Sequence, residues 1–229
     1  MKTNPIFAKS VIALAVLTTL APIAHSEEIE KIQITAQKRT QNITEVGVTT
    51  TAFNGDMLED LGIENAVDLG AHTPGLVAVN STSGSTPIFA IRGIGLDDFS
   101  PNNTSGVGVY SDEVFASSPV YLGGQLFDIE RVEVLKGPQG TLYGKNTTGG
   151  AINFITSKPT DDFEAFIEAD YSSYQTVEIT TAVGGALTDT VNGRFSLNYA
   201  KSNEGWQKDD STGEEFGLID TFAVRGQLG

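Results

Sequence analysis

From residue 161 onward the chain alternates apolar and polar residues along four successive runs. Phe163, Ala165, Ile167, Ala169 and Tyr171 interleave with Glu164, Phe166, Glu168 and Asp170. Val177, Ile179, Thr181, Val183 and Leu187 are opposed by Glu178 and Thr180, and Val191, Gly193, Phe195, Leu197 and Tyr199 by Asn192, Arg194, Ser196 and Asn198. The last run holds Phe222, Val224 and Leu228 against Arg225 and Gln227. A helix repeats every 3.6 residues, so a strict period of two fits only extended strands with one apolar and one polar face. Runs of about ten residues match the strands of outer-membrane barrels. A soluble antiparallel sheet with one face on a core alternates in the same way, so periodicity leaves the placement open. A short turn at 188–190, a long polar segment at 201–215, and Tyr171, Tyr174 and Tyr199 near strand ends favour the barrel.

The other end of the chain fixes the compartment. Lys2 and Lys9 precede an apolar run at 11–20, and Ala24-His25-Ser26 has the small-x-small pattern of a signal-peptidase site. The run, interrupted by Thr18, Thr19 and Pro22, falls short of the ~20 residues that span a bilayer core. A cleaved signal peptide over 1–26 is therefore expected, with the mature chain starting near Glu27 outside the cytoplasm. Cysteine is absent, which removes disulfides, thiol nucleophiles and Cys-based metal sites. A formal net charge of −15 with no basic stripe argues against a nucleic-acid partner.

Between these ends lies a compact pattern with many loops. Residues 27–36 form an isolated β-prone segment, which suits strand addition to a partner's sheet edge or an ordinary first strand. A strand is expected at 46–53. Asn54 then caps a short helix that Gly62 stops, and Asn65 caps a second that ends at His72-Thr73-Pro74-Gly75. Strands are expected at 76–80 and 88–91, and a hairpin at 107–116 about Ser111-Asp112. The stretch 128–156 holds two strand-like runs, 132–135 and 151–155, around Gly137, Pro138, Gly140, Gly144, Gly149 and Gly150, so the backbone must turn repeatedly there.

Catalytic constellations are poorly supported. Residues 140–146 resemble a phosphate loop only superficially, because the glycine spacing is one residue short and Asn146 replaces the magnesium-binding Ser or Thr. Once the signal is removed His72 is the only histidine, so no His-rich metal site or multi-histidine centre can form. The chain is not expected to be an enzyme, to hold a cofactor or to carry a metal site.

With these residues laid out, the chain resembles the N-terminal part of a TonB-dependent outer-membrane receptor. The resemblance runs from the signal peptide to Gly229. Its most specific part is ERVEVLKGPQGTLYG followed by NTTGGAIN, with Ile91-Arg92-Gly93 and Gly108-Val109-Tyr110-Ser111-Asp112 as further matches. The resemblance implies an α+β plug domain at 40–160 and, at 161–229, the first strands of an antiparallel transmembrane β-barrel that is incomplete in this chain. It makes Gly93, Asp112, Glu130, Gly137, Pro138, Gly140, Gly144, Gly149 and Gly150 plug-motif positions. It gives Glu30, Lys31, Ile32, Gln33, Ile34, Thr35 and Ala36, within a 27–39 segment, the role of the TonB box, which a periplasmic TonB protein captures by strand pairing. Arg92 and Arg131 match plug arginines that face acidic residues on the barrel wall, on strands beyond these four. Glu113 stands where the family often has glycine.

The function implied is energy-coupled uptake of a scarce ligand across the Gram-negative outer membrane, with the plug facing the periplasm. The partners would be TonB, membrane lipid and a small ligand such as a metal chelate, with iron-siderophore the commonest class in the family. Membrane barrels need at least ~8 strands, so four suggest a fragment or truncated reading frame. Two rival readings are a soluble periplasmic plug-like module that binds TonB without transporting, and an extracytoplasmic hydrolase.

Overall fold

The computed structural model describes residues 33–35, 38–81, 86–96, 103–117 and 126–229. The signal-peptide expectation and Glu30, Lys31, Ile32 and Ala36 fall outside the described residues. A two-residue strand, β1 (Gln33–Ile34), pairs antiparallel with β2 (Gln41–Asn42), and Asn42 then caps a single 3-10 turn by accepting from Thr44 N at 3.1 Å. Strand β3 (Thr49–Asn54) leads into helix α1 (Gly55–Asp60), where Asn54 Oδ1 accepts from Met57 N at 2.9 Å as an N-cap. Gly62 leaves that helix at φ 63, as its sequence position foretells. Helix α2 (Leu69–His72) is only four residues long, and the hairpin β4 (Leu76–Asn80) and β5 (Pro87–Ile91) follows.

The rest of this half is one mixed sheet. It contains β6 (Val107–Ser111), β7 (Val114–Phe115), β8 (Ile129–Lys136) and β9 (Gly150–Thr156), in the order β3-β8-β9-β6-β7. Only β6 and β9 run parallel. Between β8 and β9 the chain makes one short helix, α3 (Gly140–Tyr143). The stretch 128–156 is thus a strand-loop-strand unit whose two runs pair with each other at the centre of the sheet.

Alternation along β8 decides what each face carries. Val132 and Val134 point into a core with Phe53, Ile91, Val109, Ile152 and Phe154, which α1, α2 and the β4-β5 hairpin cover. Leu135 points the other way, into a smaller cluster of Ile34, Ala52, Tyr110, Tyr143 and Ala151. Period two places Arg131 and Glu133 on that second face as well. β1 docks there.

The final 69 residues build a separate four-stranded antiparallel sheet from β10 (Glu164–Ser172), β11 (Thr176–Thr188), β12 (Val191–Lys201) and, after the small hairpin β13 (Gln207–Lys208) and β14 (Glu215–Phe216), β15 (Asp220–Leu228). Asp189 and Thr190 alone join β11 to β12, whereas residues 202–219 join β12 to β15. The placement that periodicity leaves open is resolved here. The polar face of β12 is the buried one, with Ser196 at 0% and Asn198 at 2% exposure, while Phe222 at 66% and Leu228 at 77% stand in the open. Small residues Ala182 and Ala200 accompany the buried polar set. A soluble sheet covers its apolar face; this sheet exposes it.

Candidate functional site

The polar face of the four-stranded sheet lies against the first half of the chain, and a buried ionic cluster joins them. Asp128, immediately before β8, holds φ 50, a left-handed conformation that Asp tolerates better than most residues. Its carboxylate accepts from Arg194 Nε at 2.9 Å and Arg194 Nη2 at 2.6 Å, a bidentate geometry, and also from Ser196 Oγ. Arg225 on the neighbouring strand donates from Nη2 to the carbonyls of Phe127 (2.8 Å) and Asp128 (2.7 Å) and stacks over the Phe127 ring at 4.7 Å. Ser196 and Arg225 are direct cross-strand partners, so one register places both on Asp128. Burial alone would raise the Asp128 carboxyl, but the hydrogen bonds from Arg194 and Ser196 and the Arg194 charge outweigh it and hold the group below the ordinary range.

A second junction lies nearby. Asp112 accepts from Thr156 N at 3.1 Å and Thr156 Oγ1 at 2.7 Å and meets Lys158 Nζ, while Gln227 Nε2 reaches Thr156 Oγ1 at 2.8 Å. Burial opposes these bonds, yet they hold Asp112 low as well. Both junctions involve residues from the half of the sheet nearer the two-residue β11-β12 turn. Toward the long-loop end the charges repel: Glu64 is pushed up by burial and then by Glu178, Asp68 and Asp170.

A second candidate face is the one that holds β1. Ile34 is 1% exposed in the Ala52, Tyr110, Leu135, Tyr143 and Ala151 cluster, a burial worth about 2–3 kcal/mol for an isoleucine side chain. Thr35 donates from N (2.7 Å) and Oγ1 (3.2 Å) to Glu133 Oε1. Lys38 sits over the Tyr143 ring at 4.9 Å and pairs with Glu113 at 3.3 Å. Tyr110 donates to the Tyr143 carbonyl at 2.6 Å, and burial pushes the Tyr143 hydroxyl up to about 12.

The expected site residues are distributed over these surfaces. Gln33, Ile34 and Thr35 are docked rather than free. Arg92 and Gly93 form the tight turn after β5 at φ 53 and 80, closed by hydrogen bonds between Ile91 and Ile94. Asp112 and Glu113 form the β6-β7 turn with both φ values positive, so the turn closes without glycine and leaves Glu113 in a costly conformation. Gly137 and Gly149 bond to each other across the start of the β8-β9 loop. Pro138 follows in that loop, Gly140 opens α3, and Gly144 closes it. Gly150 begins β9. Glu130 pairs with Arg131. Arg131 meets Glu130, Glu133 at 2.9 Å and Thr35 Oγ1 at 3.1 Å among the described residues, and the barrel strands expected to carry its acidic partners lie beyond the four described. The charged contact that joins the two sheets has the opposite polarity, with the acid before β8 and the arginines on β12 and β15. Asp128, Arg194, Ser196, Arg225 and Glu133 are absent from the sequence-based site. The signal for three of them lies in the alternation, which places Arg194, Ser196 and Arg225 on polar strand faces.

The arrangement defines a plug packed against the inner face of a membrane-barrel wall. The profile of the TonB-dependent Receptor Plug Domain matches residues 42–151. The chain is 30% identical over 177 residues to the pesticin receptor of Yersinia enterocolitica, an alignment covering 76% of this chain and 26% of the relative. It is 31% identical over 161 residues to the vitamin B12 transporter BtuB of Vibrio vulnificus, covering 65% of this chain and 25% of that one. The crystal structure of the ferric yersiniabactin uptake receptor FyuA from Yersinia pestis superposes with a TM-score of 0.68 at 29% identity, over 79% of this chain and 28% of that one. The chain belongs to the TonB-dependent receptors, and it spans about a quarter of the length of these relatives.

Proposed function

We propose that the protein takes part in energy-coupled uptake of a scarce ligand across the outer membrane, with an iron chelate of the siderophore class as the ligand. The observation that carries this reading is the sheet whose polar face is buried on the plug while its apolar face stands open, which suits lipid outside and a plug inside. The name of one similar protein, a ferric yersiniabactin uptake receptor, supports the iron-chelate class. In this reading residues 40–160 are the plug, facing the periplasm, and 161–229 begin the wall. Residues 30–36 are the box that TonB captures as an added strand. Arg92 and Arg131 keep the role of wall contacts, and Arg131 also meets the box segment through Thr35. The same open apolar face disfavours a soluble periplasmic module, which would expose Phe222, Val224 and Leu228 to water.

Replacing Ile34 by proline removes a backbone donor that strand addition requires, and it also removes the isoleucine from its cluster. Crosslinking of TonB to the protein in isolated outer membranes is expected to fall to background in Ile34→Pro. Crosslinking at the parent level would remove the box assignment. Recovery of the native protein in the soluble periplasmic fraction would remove the membrane placement.

A further inference from the structure

We propose that Glu133 is a latch that holds the box strand on the plug and sets how readily that strand is released. The proposal rests on the docking reading above and names a positioning residue within it. Glu133 interrupts a run of buried apolar residues, Val132, Val134 and Leu135, in the central strand of the plug. Its cross-strand neighbours, Ala52 and Asn153, are also buried, so no solvent reaches the carboxylate from either side. A charge in such a place is retained only where donors face it.

Among the described residues three donor groups meet its Oε1. Two of them, Thr35 N and Thr35 Oγ1, belong to the box segment, and the third is Arg131 Nε. Arg131 Nη2 closes the ring by donating to Thr35 Oγ1. The other oxygen, Oε2, accepts no hydrogen bond among the described residues. The carboxylate and the box therefore depend on each other: when residues 33–35 leave, Glu133 loses two of these three donor groups and keeps Arg131. Glutamine at 133 keeps the shape and one acceptor but forfeits the charge that strengthens all three contacts. Lys38, held by Glu113 and the Tyr143 ring, fastens the same segment three residues on.

The chain has no cysteine, so one introduced thiol reports on one position. Ile34→Cys in the full protein, in isolated outer membranes, is treated with a membrane-impermeant maleimide with and without Glu133→Gln. Labelling at 34 is expected to quicken about tenfold with Glu133→Gln, as befits loss of a charge-assisted contact. Ile152→Cys, buried on the opposite face of the sheet, serves as the comparison and is expected to keep its rate. An unchanged rate at 34 would overturn the latch, and so would a matching rise at 152, which would mean that the whole plug has loosened. The readout contains no TonB. Absence of TonB crosslinking in the parent would therefore sink the box reading, and with it the latch as a box device, whereas an unchanged rate at 34 with parent-level crosslinking would sink the latch alone.

Discussion

Asp128→Asn is expected to lower the stability of the plug on the wall by about 3 kcal/mol, the cost of leaving a buried ion pair without one partner. Asparagine fits the same space and tolerates the left-handed backbone at φ 50, so the substitution removes charge and little else. Among the described residues Arg194 would keep Glu164, at 3.1 Å, as its charged partner, and Arg225 would keep its two carbonyls. The effect has a pH signature with a definite sign. The Asp128 carboxyl is held below its ordinary value in the folded protein, so its contribution is complete above the unfolded value of about 3.9 and fades as pH falls through the folded one. Asp112 acts in the same direction. Thermal unfolding of the protein in detergent should show the parent losing stability below roughly pH 4, with Asp128→Asn lower at neutral pH and less steep in acid. Equal midpoints at neutral pH would mean that the cluster holds nothing together.

Gly150→Ala is expected to cost the plug about 3 kcal/mol or more, because the added methyl has no room and meets backbone that cannot step aside. A Cβ at this position would overlap the Leu135 carbonyl oxygen and lie 2.7 Å from Ile91 Cδ1. The first of these is backbone in the adjacent central strand, and Gly150 pairs with Lys136 on one side and Val107 on the other. Yielding would mean opening the β8-β9 ladder. The backbone angle, φ 154, also disfavours an L side chain. Gly140→Ala, where nothing lies within 4 Å, should be close to neutral in the same assay. Protease digestion of the plug in membranes separates the two, with rapid cleavage expected for Gly150→Ala alone. Resistance of Gly150→Ala at the parent level would show that the strands part more easily than this packing implies.

The elements were legible wherever local chemistry decides them. Asn54 as a cap, Gly62 as a stop, the 76–80 strand and the two-residue turn after Thr188 follow from turn and capping residues read in isolation. The antiparallel pairing of β8 with β9 was less visible, because the glycines between them mark turns without showing which strands those turns bring together. Which face of the last four strands is buried could not be read from alternation at all, since period two is the same in water and in lipid. The contacts of the site were poorly legible. The pairing of Arg131 with Glu133, two residues on, has no mark in the sequence beyond their shared strand face. Asp128 has no local mark, and its importance arises from a cross-strand register between Ser196 and Arg225 that joins residues nearly thirty positions apart.

The central claim is that the apolar face of β12 and β15 meets lipid while the polar face meets the plug. Single cysteines at Phe195 and Val224 on one face, and at Asn198 on the other, can each carry a fluorophore in the membrane-embedded protein. Lipids with a quencher on the acyl chain should quench the label at 195 and 224 strongly and leave the label at 198 bright. Strong quenching at 198 with none at 195 and 224 would contradict the account.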